Sequence, residues 1–141
     1  MRNRNSGFTL IELLIVIAAL GIIVAFGYPS YLEQVRKARR AEGMGELLEM
    51  ADRLERRYSD LGTYAGISAD ALYGITTANN TRPTTNGHYR LVIDSADTVQ
   101  FTISAAPQGN QAKDKCGTFT MSSQGLRSVS GGITQDDCKW K

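Results

Sequence analysis

The chain carries a single histidine, His88, and that scarcity excludes any metal site built from several imidazoles. It also leaves a Ser-His-Asp arrangement resting on residues of arbitrary spacing, and a lone histidine ahead of a strand reads as a surface or packing residue. Only two cysteines occur, Cys116 and Cys138, too few with His88 to complete a zinc shell. No glycine-rich phosphate loop appears, and there is neither a repeat nor a long low-complexity tract. Nothing calls for a cofactor or a metal, and no enzyme is expected. An excess of one charge is lacking too. Of 16 Lys and Arg residues, Arg2 and Arg4 precede the main apolar run, and the other 14 balance 14 Asp and Glu. A segment so near neutrality has no global field to draw in nucleic acid or anionic membrane. Beyond the apolar run, the remainder of the 141 residues suffices for one modest domain with a single core.

What the chain has in abundance is apolar sequence near its start. After the short basic leader 1–7, residues 8–28 read Phe-Thr-Leu-Ile-Glu-Leu-Leu-Ile-Val-Ile-Ala-Ala-Leu-Gly-Ile-Ile-Val-Ala-Phe-Gly-Tyr, with Glu12 the one charge. A membrane span needs about 20 apolar residues, and this run is long enough. A secretory signal has a shorter apolar core, about 7–15 residues, and ends in a small-residue cleavage site. Here Pro29-Ser30-Tyr31 and a charged helical pattern follow instead. A simple anchor helix accounts for the length but not for Glu12, because a carboxylate inside a span is costly and demands a partner. An α-amine made by cutting between Gly7 and Phe8 would supply one. Flanking charge does not fix the orientation. Arg2 and Arg4 lie before the span and Arg36, Lys37, Arg39 and Arg40 after it, and a positive-inside count would put the C-terminal side in the cytoplasm.

The stretch Gly7-Phe8-Thr9-Leu10-Ile11-Glu12, with its basic leader and apolar tail, resembles the processing motif of type IV pilins and pseudopilins. The resemblance implies that a prepilin peptidase cuts after Gly7 and that Phe8 becomes an N-methylated first residue. It implies that Glu12 pairs with a Phe8 amine during assembly, in keeping with the smaller cost of a bonded buried charge. Gly7, without a side chain, would let a peptidase approach the backbone closely. In an exported chain Cys116 and Cys138 would bridge a loop of about 20 residues, worth roughly 3 kcal/mol by loop entropy. Such a bridge puts the C-terminal region in an oxidising compartment and overrides the flanking-charge count. The expected organisation is a leader 1–7, a transmembrane and assembly helix 8–28, and a periplasmic domain 29–141.

Past the span, Val35, Ala38, Ala41, Met44, Leu47, Leu48, Ala51, Leu54 and Tyr58 recur at helical spacing. Glu49–Arg53 and Asp52–Arg56 support the other face. One helix from about 8 to 59 is expected, kinked at Pro29 and weakened by Gly21 and Gly27. Gly43 and Gly45 mark either a soft point or a close packing. Residues 60–87 read as a connecting loop with a short helical piece near 68–72. Alternation at Tyr89-Leu91-Ile93 and Phe101-Ile103 gives a hairpin turned at Ser95-Ala96-Asp97. A second hairpin, Phe119-Met121 with 126–129, turns at Ser123-Gln124-Gly125. The fold class is α+β: a long kinked N-terminal helix on a roughly four-stranded antiparallel sheet.

Later stretches narrow the resemblance. Arg39-Arg40-Ala41-Glu42-Gly43, Arg56-Arg57-Tyr58, Gly62-Thr63-Tyr64, Ala106-Pro107-Gln108-Gly109-Asn110-Gln111, Cys116-Gly117 and Cys138-Lys139-Trp140 are similar to PilE-type minor pilins. The implied role is a low-abundance type IV pilus subunit that primes or caps assembly, in a filament serving twitching motility, adhesion or DNA uptake. Its implied partners are other pilin and minor pilin subunits, the peptidase, the inner-membrane assembly platform and the membrane itself. A major pilin and a type II secretion pseudopilin share the leader and span and stay open as alternatives. So does a DNA-binding competence pilin. Lys113, Lys115, Lys139 and Lys141 surround the cysteines beside Trp140, a combination suited to phosphate contact and base stacking. Asp114, Asp136 and Asp137 counter them in the same neighbourhood.

Overall fold

The computed structural model describes residues 8–74 and 80–140. Two of the candidate positions, Gly7 and Lys141, therefore lie outside the described residues, as does the leader. By its contacts the chain divides into two units, Met1–Val35 and Arg36–Lys141.

The first unit holds the beginning of helix α1 (Leu10–Leu61). Its apolar window has a mean hydropathy of 2.8, and none of it is buried within the chain. The helix is unbroken through Gly21, Gly27 and Pro29, although Pro29 has no N–H to donate to the carbonyl of Ala25. So the helical pattern predicted across both apolar and amphipathic stretches is one element.

In the second unit the remainder of α1 lies on an antiparallel sheet. Its strands are β1 (Thr81–Pro83), β2 (Tyr89–Ala96), β3 (Phe101–Pro107), β4 (Phe119–Ser122) and β5 (Arg127–Val129), in that spatial order. The sheet thus has five strands where four were expected. The extra one, β1, is a three-residue edge strand in what reads as loop, and a strand so short shows no periodicity. A short helix α2 (Ala69–Tyr73) forms where the helical piece was expected, with the Ser68 hydroxyl accepting from the Ala71 amide. The first long hairpin turns later than expected, at 97–100, where Asp97 Oδ1 accepts from the amides of Val99 and Gln100. The Asp97 amide also bonds the Gln100 carbonyl.

The core is made by Leu47, Met50 and Leu54 of α1 against Tyr89, Leu91, Ile93, Phe101, Ile103 and Phe119. Each fully buried aliphatic side chain contributes roughly 1.5–3 kcal/mol. The buried face of α1 runs Arg40, Gly43, Leu47, Met50, Ala51 and Leu54. This corrects the expected stripe: Ala38, Ala41 and Leu48 are exposed, and Arg40 and Gly43 take the inward places. Gly43 is there for space. A Cβ would come within 2.7 Å of the Tyr89 ring, whereas Gly45 has nothing within 4 Å. The helix stops at Gly62, whose φ of 70° lets its amide bond the Tyr58 carbonyl at 2.7 Å.

Candidate functional site

At the start of α1, Thr9 and Glu12 bond reciprocally. Thr9 Oγ1 accepts from the Glu12 amide at 3.3 Å, and Glu12 Oε2 accepts from both the amide and the hydroxyl of Thr9 at 3.2 Å. This is a capping box, and it satisfies the amides of Thr9 and Glu12 while placing negative charge at the positive end of the helix dipole. The signal, Thr-x-x-Glu, was present in the sequence, where Glu12 was weighed only as a charge awaiting an amine. Phe8, just before it, is 89% exposed.

The second region surrounds the cysteines. Cys116 and Cys138 form a disulfide with a Cα–Cα distance of 5.9 Å, both ends buried. The loop it closes is fitted to it by two glycines. Gly117 has a φ of 64°, and a Cβ on Gly131 would overlap the Lys115 carbonyl oxygen. The Gly131 amide bonds the Cys116 carbonyl, and the Thr118 amide bonds Ser130 Oγ at 2.8 Å. Helix α3 (Gln135–Cys138) is capped by Thr134, which accepts from the Asp137 amide and donates to Asp137 Oδ2. Lys139 closes α3 with a φ of 57°, a left-handed conformation that glycine or asparagine usually takes.

The lysine and tryptophan cluster is split by burial. Lys113, Lys115 and Lys139 are exposed. Trp140 is only 2% exposed. Its Nε1 donates to the Thr120 carbonyl at 3.0 Å, Phe119 meets it edge-on, and the Arg127 guanidinium lies 4.8 Å from its ring centroid. The ring is a core element, which corrects its expected part as a stacking platform. An indole so large is the strongest filler a small domain has, and its one polar atom is satisfied internally.

Asp114 also leaves the expected acidic rim. It is buried against Arg40, whose Nε donates to Asp114 Oδ2 at 2.8 Å while Nη2 meets Asp114 Oδ1. Such forked charge-assisted pairing is the geometry that makes a buried ion pair tolerable. Gln111 extends the network. It sits in the 3-10 turn Gly109–Lys113 and donates to Tyr89 Oη at 3.1 Å and to the Arg36 carbonyl at 3.3 Å. Burial pushes the Tyr89 hydroxyl up to about 12, with the Asp114 charge adding to the rise. Sequence reasoning missed this network because Arg40 stands inside a basic run. Its one available signal was spacing, three before Gly43 and seven before Leu47 on a single face.

Between α1 and the disulfide loop lies a groove of about 210 Å³, lined by Ala41, Met44 and Cys138 together with Lys37, Arg40, Asp137 and Lys139.

Comparison with known proteins gives these features a family. Residues 29–120, well over half the chain, match a family model described as type IV minor pilin ComP, DNA uptake sequence receptor. Residues 2–28 match the prokaryotic N-terminal methylation motif. A fimbrial protein of Dichelobacter nodosus is 30% identical over 132 residues, 93% of this chain and 79% of that protein. A type IV major fimbrial protein FimA of the same organism is 36% identical over 75 residues, 53% of this chain and 46% of its own length. The crystal structure of the Neisseria meningitidis non-core minor pilin PilV shares the fold at a TM-score of 0.53 and 20% identity, covering 72% of this chain and 92% of PilV. With its domain answering to the minor-pilin model and its start to the methylation motif, the chain belongs to the type IV minor pilin family.

Proposed function

We propose that this minor pilin is cut between Gly7 and Phe8 by a prepilin peptidase and methylated at Phe8. It then waits in the inner membrane through residues 8–28, with residues 29–141 in the periplasm, until the assembly platform draws it into a pilus. The observation that carries this reading is the bare apolar half of α1, with mean hydropathy 2.8, no buried residue and one carboxylate in its first turn. In the bilayer that surface needs no protein partner. In a filament it packs against equivalent helices of other pilins, and a head-to-tail contact of this kind builds an open helical array. Glu12 fixes the register. Its bonds to Thr9 are exposed, so a Phe8 ammonium of a neighbouring subunit can join or replace them. The role is that of a scarce subunit that primes or caps the fibre. Mass spectrometry of sheared filaments should find a trace component beginning with methylated Phe8. Glu12→Ala should lower its incorporation at least several-fold while the domain stays folded, and undiminished incorporation rejects the register role.

DNA contact is a second reading, favoured by the description of the matching family and by one structural observation. Asp114 is neutralised internally by Arg40, so Lys113, Lys115 and Lys139 face fewer surface acids than the sequence implies. Without Trp140 at the surface, the contact would be to phosphate and steeply salt-dependent. Replacing Lys113, Lys115, Lys139 and Lys141 with alanine should cut DNA retention and flatten its salt dependence. Retention unchanged at all salt concentrations removes this reading.

A further inference from the structure

We propose that the groove between α1 and the disulfide loop is a docking site for a neighbouring pilin subunit, which inserts an apolar side chain flanked by a carboxylate. The proposal rests on the chain's assembly as a minor pilin and adds where, and to what chemistry, its domain binds.

Two features of the groove set that chemistry. Ala41, Met44 and Cys138 give the groove an apolar wall, and its volume of about 210 Å³ has room for one aliphatic or small aromatic side chain. The rim is cationic. Lys37 and Lys139 have no ion-pair partner among the described residues, while Arg40 is neutralised by Asp114. Asp137, the one acid at the rim, already accepts from the Thr134 hydroxyl as part of the α3 cap. An apolar slot lined by two ammonium groups with no ion pair among the described residues favours an apolar residue beside an acid over a basic segment.

The fold also shows how such a knob is presented. At the 97–100 turn Val99 is 68% exposed beside Asp97, whose two backbone bonds hold its carboxyl below the usual range. Tyr58 stacks on Tyr64 and Tyr64 meets Phe101 edge-on, which sets that turn beside the C-terminal end of α1. The groove lies near Ala41, about 25 Å back along the same helix by its 1.5 Å rise per residue. This chain therefore carries an apolar knob beside an acid at one end of its domain and the groove at the other, the arrangement that a head-to-tail contact between subunits of one fold uses.

The test uses the full chain in piliated cells, with a photoreactive residue at Gly45, which has open space around it one turn beyond Ala41. A second reporter at Ile22 reads assembly through the apolar half alone. The expected result is a Gly45 adduct on a pilin peptide that carries an apolar residue next to Asp or Glu. Combining Lys37→Glu with Lys139→Gly should lower its yield at least fivefold, with Ile22 adducts and protein level unchanged. The glycine substitution suits the left-handed backbone, so loss of folding does not confuse the readout. With Ile22 adducts present, the proposal is overturned by no Gly45 adduct, by one on lipid or a basic segment, or by a yield that charge reversal does not change. Absence of Ile22 adducts in the unsubstituted chain overturns the assembly reading, and the groove with it.

Discussion

Helix α1 holds a charge in its first turn and another past its middle, each on a face that otherwise carries apolar residues, and the two are satisfied in opposite ways. Glu12 is bonded by Thr9, three residues away, and stays exposed. Arg40 is bonded by Asp114, 74 positions along the chain, and is buried. A local, exposed pairing can be exchanged for another at little cost when the helix changes neighbours. A buried one cannot, because removing either partner strands a charge in low dielectric. The first suits the passage from bilayer to filament proposed for this segment. The second suits a domain that must keep its shape throughout.

That contrast can be broken at graded cost. Arg40→Ala should be the most damaging change, about 3–5 kcal/mol, because Asp114 remains buried and unpaired. Denaturant unfolding of the full chain in detergent would read it. Arg40→Met with Asp114→Leu should lose much less, and an equal loss would mean that the pair itself stabilises the domain. Next, Cys138→Ser should cost about 3 kcal/mol by loop entropy and appear as protease sensitivity of the domain. Gly43→Ala should cost roughly 1–3 kcal/mol by overpacking against Tyr89, while Gly45→Ala should be neutral or stabilising by up to about 1 kcal/mol. The mildest of the destabilising changes is Thr9→Ala, which should weaken the helix start by about 1 kcal/mol and leave domain unfolding unchanged. A shift in the domain's unfolding midpoint with Thr9→Ala would show that the two sites are coupled.

Much of the fold was legible before any coordinates. The apolar run, the alternation at Tyr89-Leu91-Ile93 and the turn at Ser123-Gln124-Gly125 correspond to α1, β2 and the β4–β5 connection. The hairpin turns at 97–100, later than its composition suggests, because Ser95 and Ala96 continue β2 past a bulge after Ile93, and a bulge shifts pairing without changing composition. The inward face of α1 was misread for a related reason. Ala38, Ala41 and Leu48 are apolar by type but small or peripheral, whereas Arg40 is polar by type but neutralised by a residue far along the chain. Trp140 was read by its chemistry as a surface aromatic, and only its partners Thr120, Phe119 and Arg127 show it to be core.

The sequence by itself determined the family, the apolar start with its lone carboxylate, the single disulfide pairing that two cysteines allow, and the helix-then-strands order. Those follow from composition, short-range spacing and periodicity, which one chain displays in full. The tertiary structure decided which charges face water, which glycine exists for packing, that β1 completes a five-stranded sheet, and that a cation-rimmed groove opens beside the disulfide. Each of these depends on residues tens of positions apart meeting in space, and burial, which sets the energy of a charge or an indole, exists only once they have met.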